Sequence, residues 1–142
     1  MISQEALGKS RILCDTDVIS YVFNNHTQAQ FFTPYLKNKT LAISFMSVAQ
    51  LYYGAYHADW ATSKLQRLEN YLKNYVILPY DYSVCLKWAE IRKELEKDRL
   101  VIEQGDCWIA ASALKYDCAL ATNNARHFTP IRNLLLICPS LS

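Results

Sequence analysis

The stretch R-I-L-C-D-T-D-V-I-S-Y-V-F-N (residues 11–24) decides the fold. Its first four residues, Arg11–Cys14, form a short apolar run that reads as a buried strand. Asp15 stands at the carboxyl end of that strand, and Val18–Asn24 then reads as a helix. The same alternation continues along the chain. Gln28–Asn38 is a predicted helix with Thr27 as its cap, and Leu41–Phe45 is a predicted strand. From Ser47 the spacing turns helical, with Val48, Leu51, Tyr52, Ala55 and Tyr56 on one apolar face. Asp59 is the expected cap of a helix reaching Asn74, and Val76–Leu78 is a strand stopped by Pro79. Helices Ser83–Lys97 and Asp106–Lys115, strand Ala119–Thr122, a polar turn and strand Leu134–Cys138 complete the pattern. Strands separated by helices imply an α/β fold whose mostly parallel sheet is covered on both faces.

Length and composition narrow the function classes. A chain of 142 residues with 51% hydrophobic and 20% charged residues is expected to form one domain, residues 1–142. Three Gly and four Pro beside many aromatics exclude a disordered chain. Fifteen basic against thirteen acidic residues leave a charge of +2, too small to advertise a nucleic-acid partner by itself. No apolar run approaches a membrane span, and the amino terminus lacks the apolar core of a signal peptide. Five scattered cysteines, with no C-x-x-C pair, read as small buried hydrophobes in a reducing cytosol.

Open parallel sheets bind ligands outside the carboxyl ends of their strands. Asp15 and Asp17 follow the first strand there, and Thr122, Asn123 and Asn124 follow the fourth. Asp106 shares a helix face with Ile109, Ala110, Ala113 and Leu114, so its carboxylate turns toward the buried side. Taken singly, Asp106 reads equally as an N-cap and Asp15 as a turn residue. Taken together, acids gathered in one crevice repel one another unless a cation such as Mg²⁺ or Mn²⁺ neutralises them. Such a centre activates water and holds a phosphodiester, which is a nuclease-like arrangement.

Four segments carry a resemblance. I-L-C-D-T-D-V-I-S-Y (12–21), I-S-F-M-S-V-A-Q-L-Y-Y-G-A (43–55), G-D-C-W-I-A-A-S-A-L (105–114) and L-A-T-N-N-A-R-H-F (120–128) resemble, in order and spacing, the blocks of PIN-domain ribonucleases. Among these the VapC-type toxins of bacterial toxin–antitoxin pairs are the most similar, and the match covers about residues 12–138. The resemblance implies a three-layer α/β/α sandwich, Mg²⁺- or Mn²⁺-dependent cleavage of RNA (tRNA among the candidates) and a homodimer. It also implies a small VapB-type antitoxin that inhibits by inserting a segment into the acidic groove. Residue by residue, it implies Asp15 as the first metal ligand, Asp106 as the third acid and Asn124 at the fourth position. His127 stands where relatives often carry another acid, and Asp17, where Asn is common, would contact substrate or water.

The main departure is Gln50, which stands where the family pattern has Glu as the second acid. Gln keeps one oxygen acceptor but removes a full negative charge, so metal affinity and water activation should fall. A natural low-activity variant and a deliberate Glu→Gln exchange both fit. Ser47 and Gln50 also form the S-x-x-Q of a capping box, a purely structural role. Gly54, on the same helix face, leaves room for a close approach.

Most basic side chains of the long helices alternate with Glu and read as a solvated face. Arg92 and Arg126 are the preferred RNA contacts, and Tyr53, off the apolar stripe, is a candidate for stacking on a base. His26, His57 and His127 lack zinc spacing, and no phosphate-binding glycine loop occurs. A phospho-acceptor receiver domain shares the layout, but this sequence lacks the late-strand Lys that such a domain requires. The second reading is therefore a non-catalytic PIN-fold module that binds RNA or antitoxin.

Overall fold

The computed structural model describes residues 2–139. In chain order its elements are α1 (Gln4–Leu7), β1 (Arg11–Cys14), α2 (Thr16–Phe23), α3 (Ala29–Leu36), β2 (Thr40–Ser44), α4 (Phe45–His57) and α5 (Thr62–Leu72). There follow β3 (Val76–Leu78), α6 (Tyr82–Lys97), α7 (Gln104–Lys115), β4 (Ala119–Ala121), α8 (Ala125–Phe128) and β5 (Leu136–Ile137). All strand pairs are parallel, in the order β3-β2-β1-β4-β5.

Alternation along β1 builds the layers, because successive side chains leave opposite faces of a strand. Ile12 and Cys14 pack with Val18 and Ile19 of α2, Phe32 of α3 and Leu68 of α5. Leu13 points the other way, into Val84, Ile91 and Leu95 of α6 and Ile109 and Ala110 of α7. The result is the expected α/β/α sandwich with β1 at its centre. Ile12 pairs with Leu41 on one side and Ala119 on the other.

The chain lays down β1, β2 and β3 in one direction, then crosses back past β1 to place β4 and β5. At that reversal the connections leave on opposite faces and open a crevice at the strands' carboxyl ends. Asp15 N–H donates to Ala121 O at 2.8 Å, so the β1–β4 ladder runs up to the crevice itself.

Several local expectations are corrected. α4 starts at Phe45, because Ser44 Oγ accepts from Met46 N–H at 3.1 Å. Ser47 is therefore buried inside the helix, and no Ser47–Gln50 capping box forms. Tyr56 leaves the expected apolar stripe and is 64% exposed. α5 begins after Ala61 instead of Asp59, whose φ of 54° makes it a left-handed turn residue. Gln28, not Thr27, occupies the position before α3. α7 begins after Glu103, so Asp106 is its third residue and not its cap. Strand pairing stops at Ala121 in β4 and covers only Leu136–Ile137 in β5, while the polar turn holds α8. Cys85 is exposed, unlike the other four cysteines.

Leu13 is fully buried on the central strand. Leu13→Ala should cost about 2–5 kcal/mol in a urea melt, whereas a change at an exposed position should stay within about 0.5 kcal/mol. Val101→Ala, at 94% exposure, is the control.

Candidate active site

A groove of about 540 Å³ lies at the carboxyl ends of β1 and β4, walled by α2, α4 and the start of α7. Asp15, Asp17, Glu103 and Asp106 line it, and no described lining residue is a Lys or Arg. Asp15, 5% exposed, is its most buried acid. Its Oδ1 accepts from the Thr16 N–H at 2.8 Å, capping α2, and its Oδ2 accepts from the Thr122 hydroxyl at 2.7 Å. These bonds favour the ionised form but are outweighed. Burial foremost, then the neighbouring Asp17 charge, push the Asp15 carboxyl up to about 7. A carboxylate has about four acceptor sites, so each Asp15 oxygen keeps a lone pair to offer.

Asp17 Oδ1 accepts from Val18 N–H at 2.7 Å, while its Oδ2 accepts from the Asn123 N–H at 3.2 Å and the Asn124 Nδ2 at 3.1 Å. Burial is the main cause raising its pKa, with Asp106 adding to it. Thus the segment after β4 is stitched to the segment after β1. Asn124 is held by its amide nitrogen, and its N–H donates to Thr122 Oγ1 at 3.0 Å.

Gln50 projects from α4 into the same groove. Thr16 Oγ1 donates to Gln50 Oε1 at 2.5 Å and lies 2.8 Å from Ser47 Oγ. The single side-chain oxygen of Gln50 is therefore engaged inside the protein. Its Nε2 packs against α7, where a Cβ on Gly105 would lie 2.7 Å away. The close approach thus occurs at Gly105. At Gly54 a Cβ would meet nothing within 4 Å, and that residue simply lines the open groove.

Asp106 Oδ2 lies 3.1 Å from His127 Nδ1. Burial raises the Asp106 pKa, the imidazole opposes that rise, and Glu103 reinforces it. Thr16 and Glu103 complete the site beside Thr122, and they are the two members that the sequence reading does not identify. The E-x-x-D spacing of Glu103 and Asp106, one turn apart on a helix start, was the available signal. Tyr53 is 71% exposed and stacks on His57 at 5.9 Å, beside groove-lining Gly54. Arg126 lines a neighbouring cavity with Asp106 and His127. Arg92 lies over the Trp88 ring at 5.1 Å and is not among the groove's lining residues.

Among the described residues no three His, Cys, Asp or Glu side chains form a ready-made metal cluster. The donor chemistry nonetheless fits a hard divalent cation: oxygen ligands, excess negative charge and carboxyl pKa values raised chiefly by burial, with the neighbouring acids adding to the rise.

The PIN-domain family model matches residues 12–132. The chain belongs to the PIN-domain family. Ribonuclease VapC2 of Rickettsia felis is 31% identical over 126 residues, covering 87% of this PIN domain and 94% of that protein. Two solved structures are also similar. One is the Rickettsia felis VapBC2 complex bound to a promoter DNA fragment, with TM-score 0.80 and 29% identity over 90% of this chain and 98% of that one. The other is VapBC-1 from nontypeable Haemophilus influenzae, with TM-score 0.78 and 26% identity over 90% and 97%. The family assignment places this PIN domain with the VapC-type toxin ribonucleases, as the four sequence blocks implied. No helix among the described residues is long and apolar enough to cross a membrane.

The buried acid gives this PIN domain a distinctive pH response. Between the ordinary Asp value of 3.8 and about 7, folded Asp15 keeps a proton that the unfolded chain has lost. Its contribution to stability therefore falls as pH rises through that window and is level above it. Urea melts in EDTA should show a loss of order a few kcal/mol from pH 4 to 7. In Asp15→Asn most of the slope should vanish, leaving the smaller slope of Asp17 and Asp106, which are shifted the same way.

Proposed function

We propose that this chain is a divalent-metal-dependent endoribonuclease toxin, weakened at Gln50 and neutralised by a cognate VapB-type antitoxin. The observation that carries the proposal is the groove at the β1/β4 reversal, where four carboxylates converge with no Lys or Arg among the described lining residues. Asp15 and Asp106 would hold a Mg²⁺ or Mn²⁺ ion, Asp15 through its remaining lone pairs and Asp106 through its groove-lining carboxylate. When bound, the ion supplies positive charge against the phosphodiester and lowers the pKa of water. Asp17 and Asn124, tied to each other, fix the rim where substrate or water would sit. Exposed Tyr53 and Arg126 of the neighbouring cavity are candidates to stack on a base and to contact a phosphate, respectively. Arg92, over Trp88, is better placed as a packing residue.

Gln50 accounts for the weakening. A Glu there would accept the Thr16 hydroxyl on one oxygen and still present a second, charged oxygen to the groove. Gln carries no charge: its one oxygen is turned to the Thr16 hydroxyl, and its NH₂, a donor with no lone pair for a cation, packs against Gly105. The same NH₂ favours the second reading, a PIN-fold module that binds RNA or antitoxin without cutting. The acidic groove suits a basic antitoxin segment, a homodimer is the expected assembly, and a cellular RNA target would make the cytoplasm its site of action.

Total RNA and tRNA incubated with Mn²⁺ provide the test. Gln50→Glu should cleave on the order of 10- to 100-fold faster than the parent, and adding Asp15→Asn to it should abolish cleavage. If neither the parent nor Gln50→Glu cuts, the enzyme reading fails and the binding module replaces it.

A further inference from the structure

Among the described residues His127 is the one imidazole that lines the groove, beside Asp15, Glu103 and Asp106. Its backbone is fixed, because Ala125 and Phe128 on either side are buried and its N–H donates to Asn124 O at 3.0 Å. Its side chain is half-exposed, with Nδ1 set 3.1 Å from Asp106 Oδ2. That spacing has a second meaning. Two ligands at right angles on an octahedral ion, each about 2.1 Å from it, stand roughly 3 Å apart. The pair therefore already has the separation of neighbouring metal ligands, with Glu103 and Asp15 around the same groove to complete an oxygen set.

We propose that His127 Nδ1 and the Asp106 carboxylate act as adjacent ligands, making this a mixed nitrogen–oxygen site that prefers a first-row transition ion to Mg²⁺. The inference rests on the metal-dependent reading above and deepens it by naming a ligand and a class of ion. Mg²⁺ takes oxygen ligands and sheds its waters reluctantly, so an imidazole in place of an oxygen is a handicap for it. For transition ions imidazole is a favourable ligand, increasingly so from Mn²⁺ through Co²⁺ to Ni²⁺. The ring needs only its N–H on Nε2 to present the Nδ1 lone pair. Gln50 works in the same direction, since one charged oxygen fewer weakens a hard ion's hold most. No covalent change is involved; binding replaces the His127–Asp106 hydrogen bond with two bonds to the ion.

Calorimetric titration with CoCl₂ and with MgCl₂, and the visible absorption of bound Co²⁺, test this without reference to catalysis. The proteins are the parent, His127→Gln and His57→Gln, the last an exposed imidazole stacked on Tyr53 outside the lining. The parent should bind Co²⁺ more tightly than Mg²⁺. His127→Gln should lose on the order of tenfold or more in Co²⁺ affinity with little change for Mg²⁺, and the Co²⁺ spectrum should alter. His57→Gln should match the parent. Because each variant supplies its own Co²⁺:Mg²⁺ ratio, a small change in folding does not obscure the result. A ratio and spectrum indifferent to His127 overturn this inference alone. If the parent binds neither ion, the metal-dependent reading falls with it.

Discussion

The organisation of this molecule turns on a carboxylate placed where water scarcely reaches. Asp15 ends the central strand of an all-parallel sheet, 5% exposed, with Asp17 two residues on and no lysine or arginine among the described residues that line the groove. Burying a charge without a partner is costly, and the protein offsets only part of that cost with the Thr16 N–H and the Thr122 hydroxyl. What remains appears as a carboxyl pushed up to about 7. The surrounding elements explain why the group stays there. Ile12, Leu13 and Cys14 lock β1 between two helical layers, and the Asp15 N–H pairs with Ala121, so the acid has no freedom to withdraw.

Two side chains moderate this concentration of charge. Gln50 puts an amide where the family pattern has an acid, and Thr16 and Gly105 hold it firmly in place. His127 faces Asp106 and opposes the rise in its pKa. A site with fewer formal charges binds a hard cation less strongly and suffers less without one. On the proposed reading, lower activity, easier folding without metal and an altered choice of ion would all follow from one change in electrostatics. The tight packing of Gln50 against Gly105 shows that the amide fits the space, so the difference from an acid is one of charge and not of shape.

Much of this was legible in the sequence, because the strands are short apolar runs between polar breaks. Arg11–Cys14 and Val76–Leu78 have the bounds their patterns suggest, and the acid after the first strand marked the crevice. The errors share a cause. Ser44, Ser47, Thr27, Asp59 and Asp106 are all residues able to cap a helix, and composition does not say which one the chain uses. Ser44 wins at α4 because β2 delivers it in extended conformation, which leaves Ser47 to be buried against Thr16. Tyr56 fits the helical spacing but is exposed near the end of α4, and Cys85 lies on the solvent side of α6. The Thr16–Gln50 bond joins residues 34 apart and had no local signature. Glu103 was overlooked because it precedes its helix in a segment without apolar periodicity.

The most direct test of the central claim is the carboxyl ¹³C titration of Asp15 by NMR, with and without saturating Mg²⁺. Without metal the midpoint should lie near 7, and with metal it should fall to or below the ordinary range near 3.8. A midpoint near 3.8 in both conditions would contradict the account, because Asp15 would then be neither uncompensated nor a cation ligand.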